Sequence, residues 1–506
     1  MNVKLIGKLS IGTNYKIIGL ACQARITSTA IILLLFLCVS VTRGNDLYIG
    51  TAEANITPDL PVALQGQFYL RIGHTARTPL ITNVVALETR NGSLSVDQTV
   101  FVACDLVFIP AILNELVRKQ VKAQIPELDV KKIVLSATHT HTSPVIESGF
   151  YEIPKEGVSQ PEAYQQLFAQ RVTESIVKAW KARKKGSVTW GLGTATIAHN
   201  RRAVYTDGTS KMYGKTDLRE FQSLEGYEDH DVNTLFFWNK DGELIATSID
   251  VPCPAQEVEN ATTIDADYWH AVRVLLKKRF GSGLLVMGWI GAAGDQSPHL
   301  MYRKKAEERM RNLSKLSRID VIAKRIVNSV EETYEIVKND RHDNIILSHK
   351  VETLSLPMRI ITETEYLESK SVSDAAAVAI AAEPKAGEKE HGKMIWYGDV
   401  VRRYKMQQTT PNPIHDTEIH IVRLGDIAIC TNQFELFTDF GIRIQGRSKA
   451  LQTFVVQLAG PGTYLPTSKA KMGGGYSAVC QSNLVGPEGG QILVDRTVQL
   501  IDELWK

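Results

Sequence analysis

Runs of apolar residues separated by polar turns divide the chain into strand-like and helix-like segments. Residues 99–105 (TVFVACD), 133–137 (IVLSA), 284–290 (LLVMGWI) and 453–458 (TFVVQL) are short and mostly apolar, which is typical of buried β-strands. Between the first two, residues 112–125 repeat apolar side chains at intervals of three and four, as on one face of a helix. The pattern predicts an α/β fold: a mixed β-sheet core with flanking helices and a site in loops at strand ends.

The second half of the chain adds two features. Residues 361–408 are rich in Ala, Glu and Lys and predict a helical insertion, which either covers a site or contributes nothing to it. Residues 417–430 (TEIHIVRLGDIAIC) predict a strand pair around positions 425 and 426. The second strand of this pair runs into a loop that contains Glu435.

Composition and charge narrow the class of protein. The 506 residues are 44% hydrophobic and 22% charged, which is ordinary for a globular protein and compatible with one large α/β unit. A net charge of +3 on so long a chain leaves no basic footprint for nucleic acid. We therefore expect no nucleic-acid partner.

The beginning of the chain has the pattern of a targeting segment. Residues 29–42 (TAIILLLFLCVSVT) hold an apolar core of about a dozen residues, shorter than the ~20 needed to span a bilayer, with a polar exit at residues 43–46. We predict that residues 1–44 are a signal peptide or N-terminal hydrophobic leader. The mature protein would be exported, to the periplasm or the exterior, and anchoring by an uncleaved leader is the alternative.

The loop after the 133–137 strand carries two histidines, His139 and His141, in the sequence THTHT. Side chains on an extended chain repeat every second residue, so both imidazoles are expected to face one cavity. Such a pair provides two ligands for one metal ion or one ligand beside a base. A plain polar loop with two half-exposed imidazoles is the alternative.

Four further candidates follow predicted strands. Arg201, in the cluster HNRRA, suits an oxyanion or carboxylate, although adjacent arginines also occur as solvated pairs. Ser297, in the small-residue loop GAAGDQSPH, would project a nucleophile or a hydrogen-bond donor, but it lacks the GxSxG elbow. Glu435 precedes a predicted helix and would be a ligand or a cap charge. Tyr464 lies in the loop AGPGTYLPT.

Taken together, these motifs resemble the neutral (alkaline, non-lysosomal) ceramidase family. The resemblance runs from GTAEANIT to the Tyr464 loop, and its most specific items are ATHTHTSP against the family's ATHTHSGP and GDQSPH against its GDxSPN. It implies that His139, Glu435 and Tyr464 bind zinc and that His141 lies beside the metal. It also implies that Ser297 is the family's essential serine and that Arg201 binds near the scissile amide.

One zinc ligand of that family has no direct counterpart. Where the family has its second zinc histidine, in a motif of the type ATHGT, this chain reads DVPCPAQ, so Cys253 is expected to replace the histidine as a thiolate ligand. Glu257, Glu259 or Asp267 are alternative replacements, and weak or absent metal binding is a further alternative. Residues 45–506 would form the catalytic domain, with no room after it for the family's immunoglobulin-like carboxyl-terminal domain.

The resemblance implies an exported, Zn²⁺-dependent hydrolase of linear N-acyl amides, with ceramide or a related lipid as substrate and a fatty acid and an amine as products. His141 would pass a proton to the leaving amine, while Tyr464 and Arg201 stabilise the oxyanion. A hydrolase of another amide or ester and a non-catalytic exported binding protein are the alternatives. The partner would be a small-molecule or lipid amide, and peripheral contact with a membrane is left open. The sequence does not predict the oligomeric state.

Overall fold

The structure, a computed structural model, describes residues 44–506, and the predicted leader lies outside these residues. The strands are β1 (Asn45–Asn55), β2 (Val62–Leu64), β3 (Arg71–Gly73), β4 (Ile81–Asn91), β5 (Leu94–Cys104), β6 (Ile133–Ala137), β7 (Lys184–Thr194), β8 (His199–Asn200), β9 (Arg202–Tyr205), β10 (Ser210–Met212), β11 (Phe221–Leu224), β12 (Asp231–Asn239), β13 (Leu244–Val251), β14 (Leu285–Ile290), β15 (Gln296–Ser297), β16 (Asn344–Ile345), β17 (Leu347–Pro357), β18 (Ile414–Leu424), β19 (Ile427–Thr431), β20 (Glu435–Leu436), β21 (Gln452–Val456) and β22 (Tyr464–Leu465). The helices are α1 (Ala111–Gln124), α2 (Pro161–Lys181), α3 (Tyr268–Phe280), α4 (Lys304–Ser314), α5 (Arg318–Val337), α6 (Glu363–Ala382), α7 (Gly387–Thr409), α8 (Thr438–Arg447), α9 (Ser468–Gly473) and α10 (Pro487–Leu504).

Two mixed sheets form the centre of the fold. The larger has nine strands, in the order β14-β13-β12-β7-β1-β4-β5-β6 with β16 paired to β1. Its pairs are antiparallel except β5 with β6 and β13 with β14. The smaller sheet has the order β17-β18-β19-β21, in which only β19 and β21 run parallel. The predicted α/β fold with a mixed β-sheet core is therefore confirmed.

Alternation along the strands decides what each face of the larger sheet contacts. Val85 and Phe101 point into a core shared with Val422 and Phe454 of the smaller sheet. Their neighbour Val84 points to the opposite face, into a core formed with α1 and α2. Helices α3 and α5 cover the β12–β14 part of that outer face, and α8 and α10 cover the smaller sheet. The order of layers is helices, sheet, sheet, helices, which buries apolar surface on both faces of each sheet.

The predicted helical insertion is the hairpin of α6 and α7, which we call the α6–α7 hairpin. It lies between β17 and β18, and these strands pair with each other up to Pro357 and Ile414 at its base. Within residues 44–506, no helix is both long and apolar enough to cross a membrane.

Backbone hydrogen bonds join the loops at the strand ends. Directly after β21, the Gln457 amide donates to the carbonyl of Ile290 at the end of β14. The amide of Ala137, at the end of β6, donates to the carbonyl of Leu458. The loops after β6, β14 and β21 therefore meet at one place.

A pair of buried histidines in the smaller sheet predicts how stability depends on pH. His349 Nε2 lies 3.0 Å from His420 Nδ1, and His420 Nε2 lies 3.1 Å from Glu418 Oε1. Burial lowers the pKa of both histidines, and for His349 the neighbouring imidazole lowers it further. The unfolded chain therefore takes up protons below about pH 6.5 that the folded chain does not. We expect the free energy of unfolding to be highest above that pH and to fall below it, by at most about 1.4 kcal/mol per pH unit for each histidine.

Urea unfolding of the wild type and of His349→Gln, at about pH 7.5 and about pH 5.5, measures this effect because the two values bracket the ordinary histidine pKa. The loss of stability between them should be smaller in the variant. The exposed His74 provides the control, since His74→Gln should keep the wild-type difference. An unchanged difference in His349→Gln would contradict the assignment.

Candidate functional site

His139 lies two residues after the end of β6, and hydrogen bonding fixes where its proton lies. Its Nδ1 is 2.7 Å from the carbonyl oxygen of Val107, and because a carbonyl only accepts, Nδ1 carries the hydrogen. The lone pair of Nε2 then faces Glu435 Oε2 at 3.3 Å. Two acceptors in this position need a cation between them, which is either a proton on His139 or a metal ion.

Glu435 and Tyr464 are placed side by side by a short parallel pair. In β20 and β22, Glu435 lies opposite Tyr464 and Leu436 lies opposite Leu465. Burial raises the pKa of Glu435, but the His139 imidazole, the Arg201 guanidinium and a hydrogen bond from Tyr464 outweigh it, so the pKa is below its usual value. Burial raises the pKa of Tyr464 well above its usual value. The pair therefore consists of an ionised carboxylate and a protonated phenol at neutral pH.

Arg201 is buried beside this pair, with 2% of its surface exposed. Its Nη2 donates to the Tyr464 hydroxyl at 3.2 Å and to the carbonyl of Gly294 at 3.0 Å, and it lies 3.8 Å from Glu435 Oε2. Its Nη1 donates to Gln256 Oε1 at 3.0 Å. Burial opposes the charged form, but the neighbouring Tyr464, Tyr213 and Glu435 outweigh it and raise the pKa of Arg201 well above its usual value. The site thus holds a fixed positive charge out of water.

His141 completes the cluster as a neutral imidazole. Its Nε2 lies 3.2 Å from Nε2 of His139 and 2.7 Å from Nε2 of Gln256. Burial, together with the charges of His139 and Arg201, lowers the pKa of His141 well below its usual value. Gly66 packs against the ring: a Cβ built there would lie 2.5 Å from Cγ of His141, and its φ of 108° also favours glycine.

Ser297 is fully buried next to the Arg201 side of the cluster. Its Oγ accepts a hydrogen bond from the Tyr213 hydroxyl at 3.0 Å and one from the backbone N–H of His299 at 3.1 Å. Tyr213 in turn accepts from Arg201 Nη1 at 3.3 Å. Ser297 therefore holds Tyr213 against Arg201, and among the described residues no imidazole is hydrogen-bonded to its hydroxyl.

The structure places Cys253, the predicted replacement for a zinc histidine, in the apolar core under α3 and not in this cluster. Its Sγ donates weakly to the carbonyls of Ile197 and Pro254, at 3.7 and 3.8 Å, within the apolar core under α3. Burial, and secondarily the charges of Asp267 and Glu257, raises the pKa of the thiol well above its usual value. A thiolate is therefore disfavoured at this position.

The alternative replacements also have other partners. Asp267 caps α3 by accepting from the Tyr268 amide at 2.7 Å, and it accepts from the Val258 amide at 2.8 Å. Glu257 lies 3.5 Å from Nε of Arg318. Glu259 is nearer to the cluster, with Oε2 3.5 Å from His141 Nδ1, but it flanks His141 rather than the pair of His139 and Glu435.

Two residues of the cluster have strained backbone. His139 and Tyr213 have φ values of 64° and 53°, in the left-handed region that non-glycine residues rarely adopt. Each such residue costs on the order of 1–2 kcal/mol and persists only where the surroundings hold it. Strain of this kind is typical of functional sites.

Two residues of the cluster were not singled out in the sequence. Gln256 bridges His141 and Arg201, and Tyr213 bridges Arg201 and Ser297. Gln256 follows a predicted strand by a few positions, as the other candidates do, and this was its only signal. Tyr213 lies at the edge of a small three-stranded sheet, where nothing in the local sequence indicates a site.

The donors for a metal ion are few. Within residues 44–506, no three His, Cys, Asp or Glu side chains form a group that could hold a metal. At the candidate site, the donors are His139 and Glu435, which face each other, and the phenol of Tyr464, which lies opposite Glu435. A metal held here would have three protein ligands at most from these residues, as in open catalytic zinc sites.

Comparisons with known proteins address the fold. No protein-family model matches the chain, and no curated protein matches its sequence. The chain is similar to the crystal structure of neutral ceramidase from Pseudomonas aeruginosa, with 17% identity and a TM-score of 0.66 over 91% of this chain and 75% of the other. A second ceramidase structure, complexed with C2, matches with 16% identity and a TM-score of 0.65, over 91% of this chain and 76% of the other.

At this level of identity the similarity establishes the fold alone. At the level of the fold, the similarity confirms the resemblance to the neutral ceramidases that ATHTHTSP and GDQSPH indicate. Over nearly its whole described length, this chain has the fold of the neutral ceramidases.

Proposed function

We propose that this chain is a ceramidase-like, zinc-dependent hydrolase that cleaves linear N-acyl amides into a fatty acid and an amine. The observation that carries the proposal is the pair of facing acceptors, His139 Nε2 and Glu435 Oε2, with a buried guanidinium and a neutral imidazole beside it. Ceramide or a related N-acyl lipid is the first substrate to test, and a lipid substrate implies contact with a membrane surface. The leader-like sequence of residues 1–44 supports the proposal that the protein is exported, with anchoring by an uncleaved leader as the alternative.

The residues present fit a zinc ion. In a tetrahedral site with metal–ligand bonds near 2.0–2.1 Å, two ligand atoms lie about 3.3 Å apart. His139 Nε2 and Glu435 Oε2 are separated by 3.3 Å. Tyr464 is the third candidate ligand because it lies opposite Glu435. When bound, zinc would polarise the amide carbonyl and lower the pKa of a water molecule toward ~7.

The chain's own residues supply the remaining chemistry. Arg201 directs donors toward the cluster from a site that excludes water, where they stabilise a developing oxyanion without reorganising. His141 is neutral, so it accepts a proton at one stage and delivers it to the leaving amine. Gln256 forms hydrogen bonds with both residues and so holds the imidazole and the guanidinium in fixed positions relative to each other. Ser297 positions Tyr213 and does not attack the substrate.

Zinc content tests the assignment. We expect about one zinc per purified chain, because three ligands and an open position suffice for a catalytic zinc site. His139→Ala should lose the metal, since it removes one of two strong donors. Cys253→Ala should keep it, since the thiol faces the apolar core. Plasma mass spectrometry of the three proteins gives the answer.

Cys253→Ala is also the matched control, because it truncates a buried side chain close to the site in sequence. Loss of zinc in Cys253→Ala would contradict the placement of the thiol. Absence of zinc from the wild type, with no uptake of added zinc, would end the zinc-hydrolase proposal and favour an exported binding protein on the same fold.

A further inference from the structure

Helix α4 carries its apolar side chains on the outside of the protein. Ala306, Met310 and Leu313, which we call the apolar stripe, are spaced by four and three residues and so lie on one face of the helix. All three are exposed, Met310 and Leu313 with 61% and 65% of their surface, and no residue of α4 is buried. A surface helix ordinarily turns its apolar face to the core, so this arrangement indicates a partner outside the chain.

The side of α4 that packs on the protein is polar. Glu307 and Arg311, four residues apart, are its half-buried side chains. Glu307 is paired with Arg325 of α5 at 2.9 Å, and the Arg325 guanidinium also donates to the carbonyl of Thr196 at 2.8 Å. These bonds fix which side of α4 faces the protein, and they leave the apolar stripe in contact with water.

Basic side chains lie beside the apolar stripe. Lys305 and Arg309, four residues apart, are exposed on the adjoining face of α4. Residues 303–315 hold six basic side chains and two acidic ones. One of the acidic side chains, Glu308, lies 3.9 Å from Arg311, and the other is paired with α5. This segment therefore carries an excess of positive charge, although the whole chain has a net charge of only +3.

The segment before α4 joins this surface to the candidate site. Tyr302 is 44% exposed, and the guanidinium of Arg303 lies over its ring, 4.7 Å from the centroid. A tyrosine beside an arginine suits the boundary between water and lipid, because each has an apolar body and a polar tip. The seven steps of chain from Ser297 to Lys304 reach at most about 25 Å. A surface in contact with α4 is therefore close to Ser297.

We propose that α4 is a docking surface for a lipid bilayer that contains anionic phospholipids. Apolar and basic side chains on one surface match such a bilayer, which has apolar chains beneath negative headgroups, whereas a nucleic acid would match only the charge. The apolar stripe and Tyr302 would enter the boundary between headgroups and acyl chains, and Lys305 and Arg309 would meet the headgroup anions. In its purpose, access to an N-acyl lipid, the docking surface rests on the proposed function, but binding to a membrane does not require catalysis.

Co-sedimentation with lipid vesicles tests the docking surface. The purified full chain is mixed with vesicles of phosphatidylcholine, alone or with about 30% phosphatidylserine. We expect about tenfold or more tighter binding to the anionic vesicles, because each basic side chain near such a surface favours binding by about fivefold. The preference should shrink in about 0.5 M salt. A retained leader would be common to the wild type and all variants, so the differences between them report on α4.

Two double variants separate the charged and apolar contributions. K305Q/R309Q should weaken binding to anionic vesicles by about tenfold or more and remove most of the preference for them. M310S/L313S should weaken binding to both kinds of vesicle by about tenfold, because it removes the side chains that would enter the lipid.

Matched substitutions elsewhere on the surface provide the controls. K119Q/K122Q removes two exposed positive charges from α1, and Leu451→Ser removes an apolar side chain with 75% of its surface exposed. Both should bind vesicles as the wild type does. Circular dichroism should show the native fold in every variant, since all the substituted side chains are exposed.

Three results would overturn the proposal. One is equal affinity of the wild type for the two kinds of vesicle, and another is a preference that survives K305Q/R309Q. The third is a dimer that M310S/L313S dissociates, seen by sedimentation velocity without vesicle binding, because a second copy of the chain would then cover the apolar stripe.

The same proteins separate the docking surface from the proposed function. If the chain binds anionic vesicles through α4 and cleaves no amide, the docking surface stands and the hydrolase fails. If the chain cleaves a short, water-soluble amide but binds no vesicles, the hydrolase stands and the docking surface fails.

Discussion

His141→Gln is expected to lower kcat/KM for amide hydrolysis by about 10³-fold, the range in which a positioned proton-transfer group contributes. Glutamine fills similar space and keeps a hydrogen-bonding group near Gln256, but it cannot exchange a proton at neutral pH. The lowered pKa of His141 means that the native imidazole is neutral and ready to accept one. Steady-state kinetics on an N-acyl amide, with zinc content measured in parallel, checks the expectation.

His74→Gln makes the same substitution at an exposed histidine and should leave the kinetics unchanged. Zinc content should stay at the wild-type level in His141→Gln, because His141 is not one of the proposed ligands. A variant that retains full activity would show that another group moves the proton.

Asp105→Asn is expected to destabilise the protein by about 3–5 kcal/mol, the cost of leaving a buried charge without its partner. Asp105 is fully buried and binds both Nη atoms of Arg273, at 2.6 and 2.9 Å. It also accepts from the Ile81 amide at 2.9 Å and from the Thr138 hydroxyl at 3.2 Å. Urea unfolding monitored by circular dichroism measures the loss.

A substitution at an exposed site and a double variant provide the controls for Asp105. Asp241→Asn, at a side chain with 65% of its surface exposed, should change stability by less than about 0.5 kcal/mol. Adding Arg273→Met to Asp105→Asn should recover part of the loss, because it removes the uncompensated charge. If the double variant is as unstable as the sum of the two single variants, the ion pair is not the cause.

The fold could be predicted where a strand is buried on both faces, because such a strand is a short run of apolar and small residues. Residues 133–137 are such a run, and the structure has β6 at Ile133–Ala137, with all five residues buried. The helical insertion was equally visible, because 361–408 lacks the strand pattern that surrounds it. The contact of this insertion with Phe68 could not be predicted, because it joins segments that are far apart in the chain.

The prediction that His139 and His141 lie on an extended strand is wrong. The strand ends at Ala137, and His139 has a φ of 64°, so the two residues are not on extended backbone. Their Nε2 atoms still meet at 3.2 Å, because Val107 and Gln256 hold the rings from either side. The two histidines are close together as predicted, but the contacts with Val107 and Gln256, and not strand alternation, bring them together.

The placement of Cys253 outside the cluster has a local cause. The amide of Cys253 bonds back to the carbonyl of Val251, and that of Gln256 bonds back to Pro254, so the chain turns tightly twice within this segment. Each turn changes the direction in which side chains point, and Gln256 rather than Cys253 reaches His141. Spacing along the sequence fixes side-chain direction in helices and strands but not across such turns.

The position of the α6–α7 hairpin has a consequence for how this protein can diverge. Because β17 and β18 pair continuously up to Pro357 and Ile414, residues 358–413 replace what would otherwise be the turn of a β-hairpin. Recombination or insertion at this one junction would exchange residues 358–413 in a single step while the two strands keep their pairing. His139, Arg201 and Glu435 lie outside the exchanged segment, so such a change would leave the candidate site in place.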